Sequence, residues 1–408
     1  MNNVFTFGCR LNFWESEKIN SILKKNRKTN ITVFNTCSVT NDAVKNVITN
    51  IKKFHLRNPE MKIAVTGCAV ETNYKIFSEM KEVSFVIKNS SKLRQESWKK
   101  LSIDNKSKTF HEKDETVLKK VNPSNSNIRK FLRIQNGCDH SCTFCIIPKC
   151  RGKSVSDKTK KINNTIKAYL KNGIKEIILT GVDLTSWGID HSDNVFLGDL
   201  LKSIFLENSS NFRLRLSSLD AAELDESFFD VLKNEDRLMH HFHFSLQSLN
   251  NLILKRMKRR HSIEQVIKLF KKIRNISPNV TFGADIITGF PTESDSMFLE
   301  TKELLEKLEI SHLHIFPYSE REGTPASKMP QVPIDIRRKR AKELRRLGKK
   351  IYSQVLEKQI FNKHKVLIES NSGIGKTENN FNVKLKKGFK GTIKEIVPVK
   401  IEKGFLIG

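Results

Sequence analysis

Residues 135–145 read Gln135-Asn-Gly-Cys138-Asp-His-Ser-Cys142-Thr-Phe-Cys145, three cysteines spaced C-x3-C-x2-C directly after an apolar strand. A cluster of four irons usually takes four thiolates. Three thiolates this close together hold three irons and leave the fourth open to a substrate or cofactor. Structural zinc would want a second C-x2-C or H-x3-5-H pair, and none follows at a suitable distance. A thioredoxin-type redox pair at Cys142 and Cys145 would not come with a third cysteine. Cys150, five residues further on, reads as a spare thiol.

Outward from this loop, residues 131–330 repeat strand then helix six times. Strands are predicted at Phe131–Gln135, Glu176–Gly181, Phe212–Ser218, His241–Gln247, Thr281–Thr288 and His312–Phe316. Six such units predict a partial (β/α)6 barrel with its chemistry at the carboxyl ends of the strands. Alternation places Arg213, Arg215 and Ser217 on one strand face. It does the same for His241, His243, Ser245 and Gln247, and for His312 and His314. The outer faces of barrel strands lie under helices, so these polar faces are expected to line an open, wet lumen. The alternative is a mixed sheet with one solvated side.

Residues 1–103 also alternate strand and helix, which predicts an open, mostly parallel α/β sheet. Its first three strands each run straight into a cysteine: Gly8-Cys9, Thr36-Cys37 and Gly67-Cys68. Parallel strands bring their carboxyl ends to one edge, where open α/β sheets bind ligands. Three cysteines distant in sequence are therefore expected to converge. The polar stretch 104–130 reads as a linker. Residues 331–362 read as a basic amphipathic helix, and 363–408, with short strands and glycine turns, as a small β-barrel with a Lys-rich surface. Removing 363–408 is expected to weaken RNA binding and leave cluster assembly intact, since all seven cysteines precede it.

Lys plus Arg number 73 against 44 Asp plus Glu, a net charge of +29, which favours a polyanionic partner, most often nucleic acid. Hydrophobic residues make up 38% and charged residues 29%, a globular composition. No apolar run is long enough for a membrane span, and the start lacks a signal-peptide pattern, so a cytoplasmic protein without a membrane partner is expected.

The C-x3-C-x2-C loop opening six βα units resembles the radical S-adenosylmethionine superfamily. TFGCRLN (6–12), FNTCSVTNDA (34–43) and VTGCA (65–69) resemble the amino-terminal domain of its methylthiotransferases. RIQNGCDHSCTFCIIPKCRG (133–152), ILTGVDLTSWG (178–188), LRLSSLDAAELD (214–225), HFHFSLQS (241–248), LKRMKRRH (254–261), FGADIITGFPTE (282–293) and HLHIFPYSEREGTPASKMPQVP (312–333) resemble their catalytic domain. GKTENNFNVKL (375–385) and the strands after it look like the RNA-binding TRAM domain. FNTCSVTNDA looks like the MtaB branch, which acts on N6-threonylcarbamoyladenosine at position 37 of tRNA.

The resemblance implies two 4Fe-4S clusters and S-adenosyl-L-methionine. Cys138, Cys142 and Cys145 hold the radical cluster, whose open iron binds the methionine moiety. Cys9, Cys37 and Cys68 hold an auxiliary cluster involved in sulfur delivery. Gly181 and Asp183 face the methionine moiety; Ser217, Gln247, Asp285 and Gly289, at later strand ends, are candidate cofactor or substrate contacts. Lys255, Arg256, Lys258, Arg259 and Arg260 form a basic block suited to phosphate, or else a solvated helix end. Implied partners are the tRNA anticodon stem-loop, a flavodoxin-type reductant and a sulfur donor. The expected reaction replaces C2–H of the modified adenosine by C2–SCH3. Alternatives are the same chemistry on isopentenyladenosine tRNA or a ribosomal protein, and a non-catalytic iron–sulfur RNA-binding protein.

Overall fold

The computed structural model describes residues 4–26, 30–99, 101 and 128–408, with the backbone of 109–110. Near the amino terminus, β1 (Val4–Thr6), β2 (Ile31–Thr36), β3 (Lys62–Gly67), β4 (Phe85–Ile87) and β5 (Thr109–Phe110) form one parallel sheet in chain order. Helix Asn41–Arg57 shows why it docks there. Val44, Val47 and Ile51 recur at helical spacing and bury against Phe34 and Val65, and the Thr40 hydroxyl caps the helix by accepting from the Ala43 N–H. Four strands were expected here. The fifth, β5, lies inside the stretch read as a linker, because an open parallel edge accepts backbone whatever its side chains. Residues 111–127 of that stretch lie outside the described residues, and Arg129 already belongs to the next strand.

The central unit contains β6 (Arg129–Arg133), the short antiparallel pair β7 (Gln135–Asn136) and β8 (Val155–Ser156), then β9 (Glu176–Thr180), β10 (Arg213–Leu216), β11 (His241–Gln247), β12 (Thr281–Thr288) and β13 (Ile310–Pro317). Two three-stranded parallel sheets, β6-β9-β10 and β11-β12-β13, are joined by parallel bridges Leu214–Leu238 and Leu219–Phe244. Six parallel strands thus run β6-β9-β10-β11-β12-β13, with helices outside. Helix Ile263–Ile276 is typical: Val266, Leu269, Phe270 and Ile273 point inward, and Ser262 and Gln265 cap each other's backbone.

Helix Ile334–Glu357 is not a free basic rod. Arg337 is buried and donates to the Val332, Tyr318 and Gln331 oxygens; Arg340 donates to Glu293 and Asp295. Much of its positive charge therefore fastens it to the barrel. Beyond it, β14 (His364–Ile368), β15 (Ile374–Lys376), β16 (Asn382–Lys384), β17 (Ile393–Ile396), β18 (Lys400–Glu402) and β19 (Phe405–Ile407) form a mostly antiparallel sheet ordered β17-β14-β15-β16-β19-β18.

This last unit corrects the expectation of an open lumen. At the amino-terminal ends of the barrel strands, Arg213 donates to the carbonyls of Lys376 (2.9 Å) and Thr377 (2.8 Å), and Thr281 to that of Asn379 (2.6 Å). His312 rests against the Phe381 ring. Glu176, fully buried, holds Arg129 (2.7 Å), Arg213 (2.9 Å) and Arg215 (3.3 Å). Strand alternation marks these faces as polar but does not say whether water or another unit's carbonyls satisfy them. Here the carboxy-terminal sheet does, and its Val366, Phe381 and Val383 join the barrel's own hydrophobic core. Cutting at residue 363 would therefore uncover buried arginines and apolar surface of the barrel as well as remove the Lys-rich sheet.

Candidate functional site

The cysteine loop hangs from the end of β6. Gly137 takes a left-handed φ of +78°, and a Cβ there would lie 1.8 Å from the Lys153 carbonyl, so only glycine permits the turn. The Cys138 N–H donates to the Gly152 carbonyl. Thr143, between the other two cysteines, donates to Met257 and Arg256 carbonyls. Phe290 packs behind the loop against Phe144. Gln135 clamps the loop to the end of β9: its amide N–H donates to the Gly137 carbonyl (2.8 Å), and its oxygen accepts from Val182 (2.9 Å) and Asp183 (3.0 Å) N–H groups. Sequence reading missed Gln135. Its place three residues before the first cysteine was the available signal.

Burial pushes the Cys138 thiol up to about 12 and Cys145 up to about 11. Arg259, largely buried, points a guanidinium N–H at the Cys142 sulfur (3.6 Å) while bonding to Asp220 (2.7 Å) and the Ser245 carbonyl (2.8 Å). Two thiols that hold their protons against water, and a third with a cation behind it, suit metal ions, which displace thiol protons.

Asp183 lies on the rim. Burial opposes its charge, but His140 (2.5 Å), Ser186 (2.6 Å) and Thr185 (3.0 Å) hydrogen-bond to it, and it sits below its ordinary range. Gly181 touches Gln135, and a Cβ there would meet its oxygen at 2.8 Å. Ser217, beyond the end of β10, keeps a buried hydroxyl without a partner, as a ligand contact would. Gln247 ends β11 with φ +66°. Asp285, midway along β12, accepts from His243 (3.0 Å) and His314 (3.1 Å). The Gly289 N–H goes to Glu293, and a Cβ on Gly289 would strike Arg337 at 2.4 Å, so it occupies a packed turn. The basic block is also largely spent on the protein: Arg256 bonds to Thr292, Arg259 to Asp220, and Arg260 to Glu223 and His140.

The other three cysteines converge as parallel strand ends require. Cys37 and Cys68 are buried and Cys9 is exposed, and Cys37 feels the charge of both others. Gly8 (φ +97°) lets β1 pass Cys37, whose sulfur a Cβ would approach to 2.7 Å. Burial raises Cys37 to about 11.

Cys150 is not spare. It sits between the Ser38 hydroxyl (3.5 Å) and Cys68, and its S–H lowers Cys68 to about 6, with Arg151 and Lys92 helping. Arg151 ties the two groups together, donating to Asn136 (3.0 Å) beside the first loop and to Asn12 (2.7 Å) and Glu15 (2.9 Å) behind Cys9. Arg321, 7% exposed, donates one N–H to Asn41 (2.6 Å) and faces Cys37 and Cys150 with two guanidinium nitrogens that have no partner among the described residues. A buried cation beside thiols with two unused donors is what a negatively charged cluster would satisfy. The short helix Ile147–Arg151, starting two residues after Cys145, packs against helix Cys68–Thr72 and so carries the chain from one triad to the other.

Comparison with known proteins agrees with this geometry. The Radical SAM superfamily profile matches residues 132–305, and that of Uncharacterized protein family UPF0004 matches 2–88. The chain is 43% identical to the threonylcarbamoyladenosine tRNA methylthiotransferase MtaB of Rickettsia prowazekii, over 99% of this chain and 96% of that one. It is 34% identical to the MtaB of Aquifex aeolicus, over 94% and 96%. A tRNA-2-methylthio-N(6)-dimethylallyladenosine synthase of Clostridium tetani is 33% identical, over 98% and 93%. A structure of the radical S-adenosylmethionine methyltransferase TsrM from Kitasatospora setae superposes with a TM-score of 0.51 at 13% identity, covering 78% of this chain and 68% of that one, a likeness of fold alone. By identity and coverage together, the chain belongs to the radical S-adenosylmethionine tRNA methylthiotransferase family.

Proposed function

We propose that this methylthiotransferase converts N6-threonylcarbamoyladenosine at position 37 of tRNA to its 2-methylthio derivative in the cytoplasm. The observation that carries the reading is the meeting of two cysteine triads from separate units at helix Ile147–Arg151. The relatives at 43% and 34% identity, named for threonylcarbamoyladenosine, support this base over the isopentenyl one. A reduced 4Fe-4S cluster with S-adenosylmethionine supplies a 5′-deoxyadenosyl radical, which suits a C2–H that has neither an acidic proton nor a leaving group. Cys138, Cys142 and Cys145 would hold that cluster, and Cys9, Cys37 and Cys68 the auxiliary one. Asp183 and Ser217 would contact the cofactor, Gln247 and Asp285 would contact cofactor or substrate, and Gln135 positions the cysteine loop. A flavodoxin-type reductant and a separate sulfur donor complete the reaction.

The test is mass spectrometry of tRNA nucleosides from cells with and without the gene. Loss of 2-methylthio-N6-threonylcarbamoyladenosine on deletion is expected. Its retention together with loss of the isopentenyl analogue would refute the assignment.

The anticodon stem-loop is proposed to dock on the carboxy-terminal sheet. Lys384, Lys386, Lys387 and Lys394 are exposed there, and Phe389, 82% exposed among them, offers a ring to a base. Changing Lys386 and Lys387 to Glu should weaken tRNA binding about tenfold or more and flatten its salt dependence, since each phosphate contact adds a counterion to the slope. Equal affinity and equal slope, read by filter binding across salt concentrations, would remove this face from the interface.

A further inference from the structure

Helix Arg10–Lys25 of the amino-terminal unit packs along β6, the edge strand of the barrel. Its first residue, Arg10, follows Cys9 directly and is half-buried. Around its guanidinium stand Arg215, Arg129, Asp285 and Glu176, all from barrel strands. The amino-terminal unit thus inserts a cation into the barrel beside its own cysteine triad.

Most of the other charges nearby have partners, Lys376 reaching only the Asn380 carbonyl (3.4 Å). Glu176 holds Arg129, Arg213 and Arg215, and Arg129 also reaches Glu369 (2.8 Å). Asp285 is occupied by His243 and His314. Arg10 has no hydrogen bond or ion pair among the described residues. An unpaired guanidinium that is partly desolvated and faces two like charges is unfavourable until an anion arrives.

The substrate reading above supplies that anion. In adenine, C2 and C6 are both bonded to N1, so a group on N6 hangs beside the carbon that receives sulfur. The threonylcarbamoyl group carries a carboxylate there, whereas an isopentenyl group is apolar. A sulfur-delivering centre held by Cys9 and a carboxylate held by the next residue would serve the same edge of one base. A guanidinium fork matches a carboxylate in bidentate geometry, which an ammonium does not.

The geometry points to Arg10 as the residue that binds the threonyl carboxylate of the substrate and so selects this base over its apolar rival. The inference rests on the proposed substrate.

The test uses the full chain and two synthetic anticodon stem-loop RNAs. One carries N6-threonylcarbamoyladenosine, and the other carries the same group with its carboxylate replaced by a carboxamide. Binding is measured on the protein as purified, and kcat/KM on the reconstituted enzyme. The wild type should prefer acid to amide by about 10- to 100-fold, the range of a charge-assisted hydrogen-bonded pair. Arg10→Gln should bring that ratio to about one, and Arg10→Lys should keep part of it. A wild-type ratio near one, or an Arg10→Gln variant that keeps the full preference, overturns the inference and leaves the substrate reading standing. A wild type that modifies only an isopentenyl stem-loop overturns both. If Arg10→Gln cannot hold iron, the wild-type ratio and the binding measurement on the metal-free protein decide.

Discussion

Changing Cys138, Cys142 and Cys145 together to Ala is expected to abolish formation of 5′-deoxyadenosine and to leave about half of the iron, because each four-iron cluster needs its own thiolate set. Changing Cys9, Cys37 and Cys68 together should also halve the iron, yet 5′-deoxyadenosine should still form while the methylthio product disappears. The two outcomes differ because the triads are held by separate means. The first hangs on Gly137, Gln135 and the carbonyls of Arg256 and Met257. The second sits on strand ends of another sheet. After anaerobic reconstitution, iron counting, the 5′-deoxyadenosine assay and nucleoside analysis read the three quantities. Full iron and undiminished product in the second variant would reduce the amino-terminal cysteines to core residues and end the two-cluster reading.

Glu176→Ala is expected to cost about 3–5 kcal/mol, the penalty for leaving buried cations without their counter-charge. Three guanidiniums converge on this one carboxylate, and all three also reach the carboxy-terminal unit, Arg129 through Glu369 and the other two through the Thr377 carbonyl. The loss should appear as a thermal transition lowered by about 10 °C and as earlier proteolysis of the carboxy-terminal unit. Glu79→Ala, which removes an exposed pair with Lys75 at 3.9 Å, should change neither. Acid adds a second reading. Burial alone would raise the Glu176 pKa, but Arg215, Arg213 and Arg129 outweigh it and hold the carboxyl well below its ordinary 4.5. A carboxylate depressed on folding contributes stability above its unfolded pKa, and that stability drains away as pH falls toward the folded value. The wild type should therefore lose stability below about pH 4.5, and Glu176→Ala should lose less over the same range. Equal thermal transitions for Glu176→Ala and wild type at neutral pH would show that the arginines find water or other partners.

The strands were legible where side chains alternate or run apolar. β2, β3, β11 and β12 lie where patterning puts them, because burial on one or both faces leaves a period of two or an unbroken apolar run. β5 and the early start of β6 were not legible. Edge pairing and the Arg129–Glu176 ion pair recruit polar residues that no hydrophobic pattern marks.

The gathering of six cysteines into two sets of three belongs to what the sequence by itself determined. Three share one loop at fixed spacing, and three end consecutive parallel strands, so local geometry and sheet topology suffice to gather each set. What covers the lumen, and which polar groups serve the site, only the tertiary structure decided. Gly289, read as a possible contact, is a turn against Arg337. Cys150, read as spare, touches Cys68 because a short helix turns it into the other unit. Arg10 and Arg321 carry no local mark. Their environments are made by residues up to hundreds of positions away, such as Asp285 beside Arg10 and Cys37 beside Arg321. Period and spacing act over a few bond lengths and are written in the chain. The field at a charged group depends on whatever folding brings within a Debye length, and no short stretch of sequence records that.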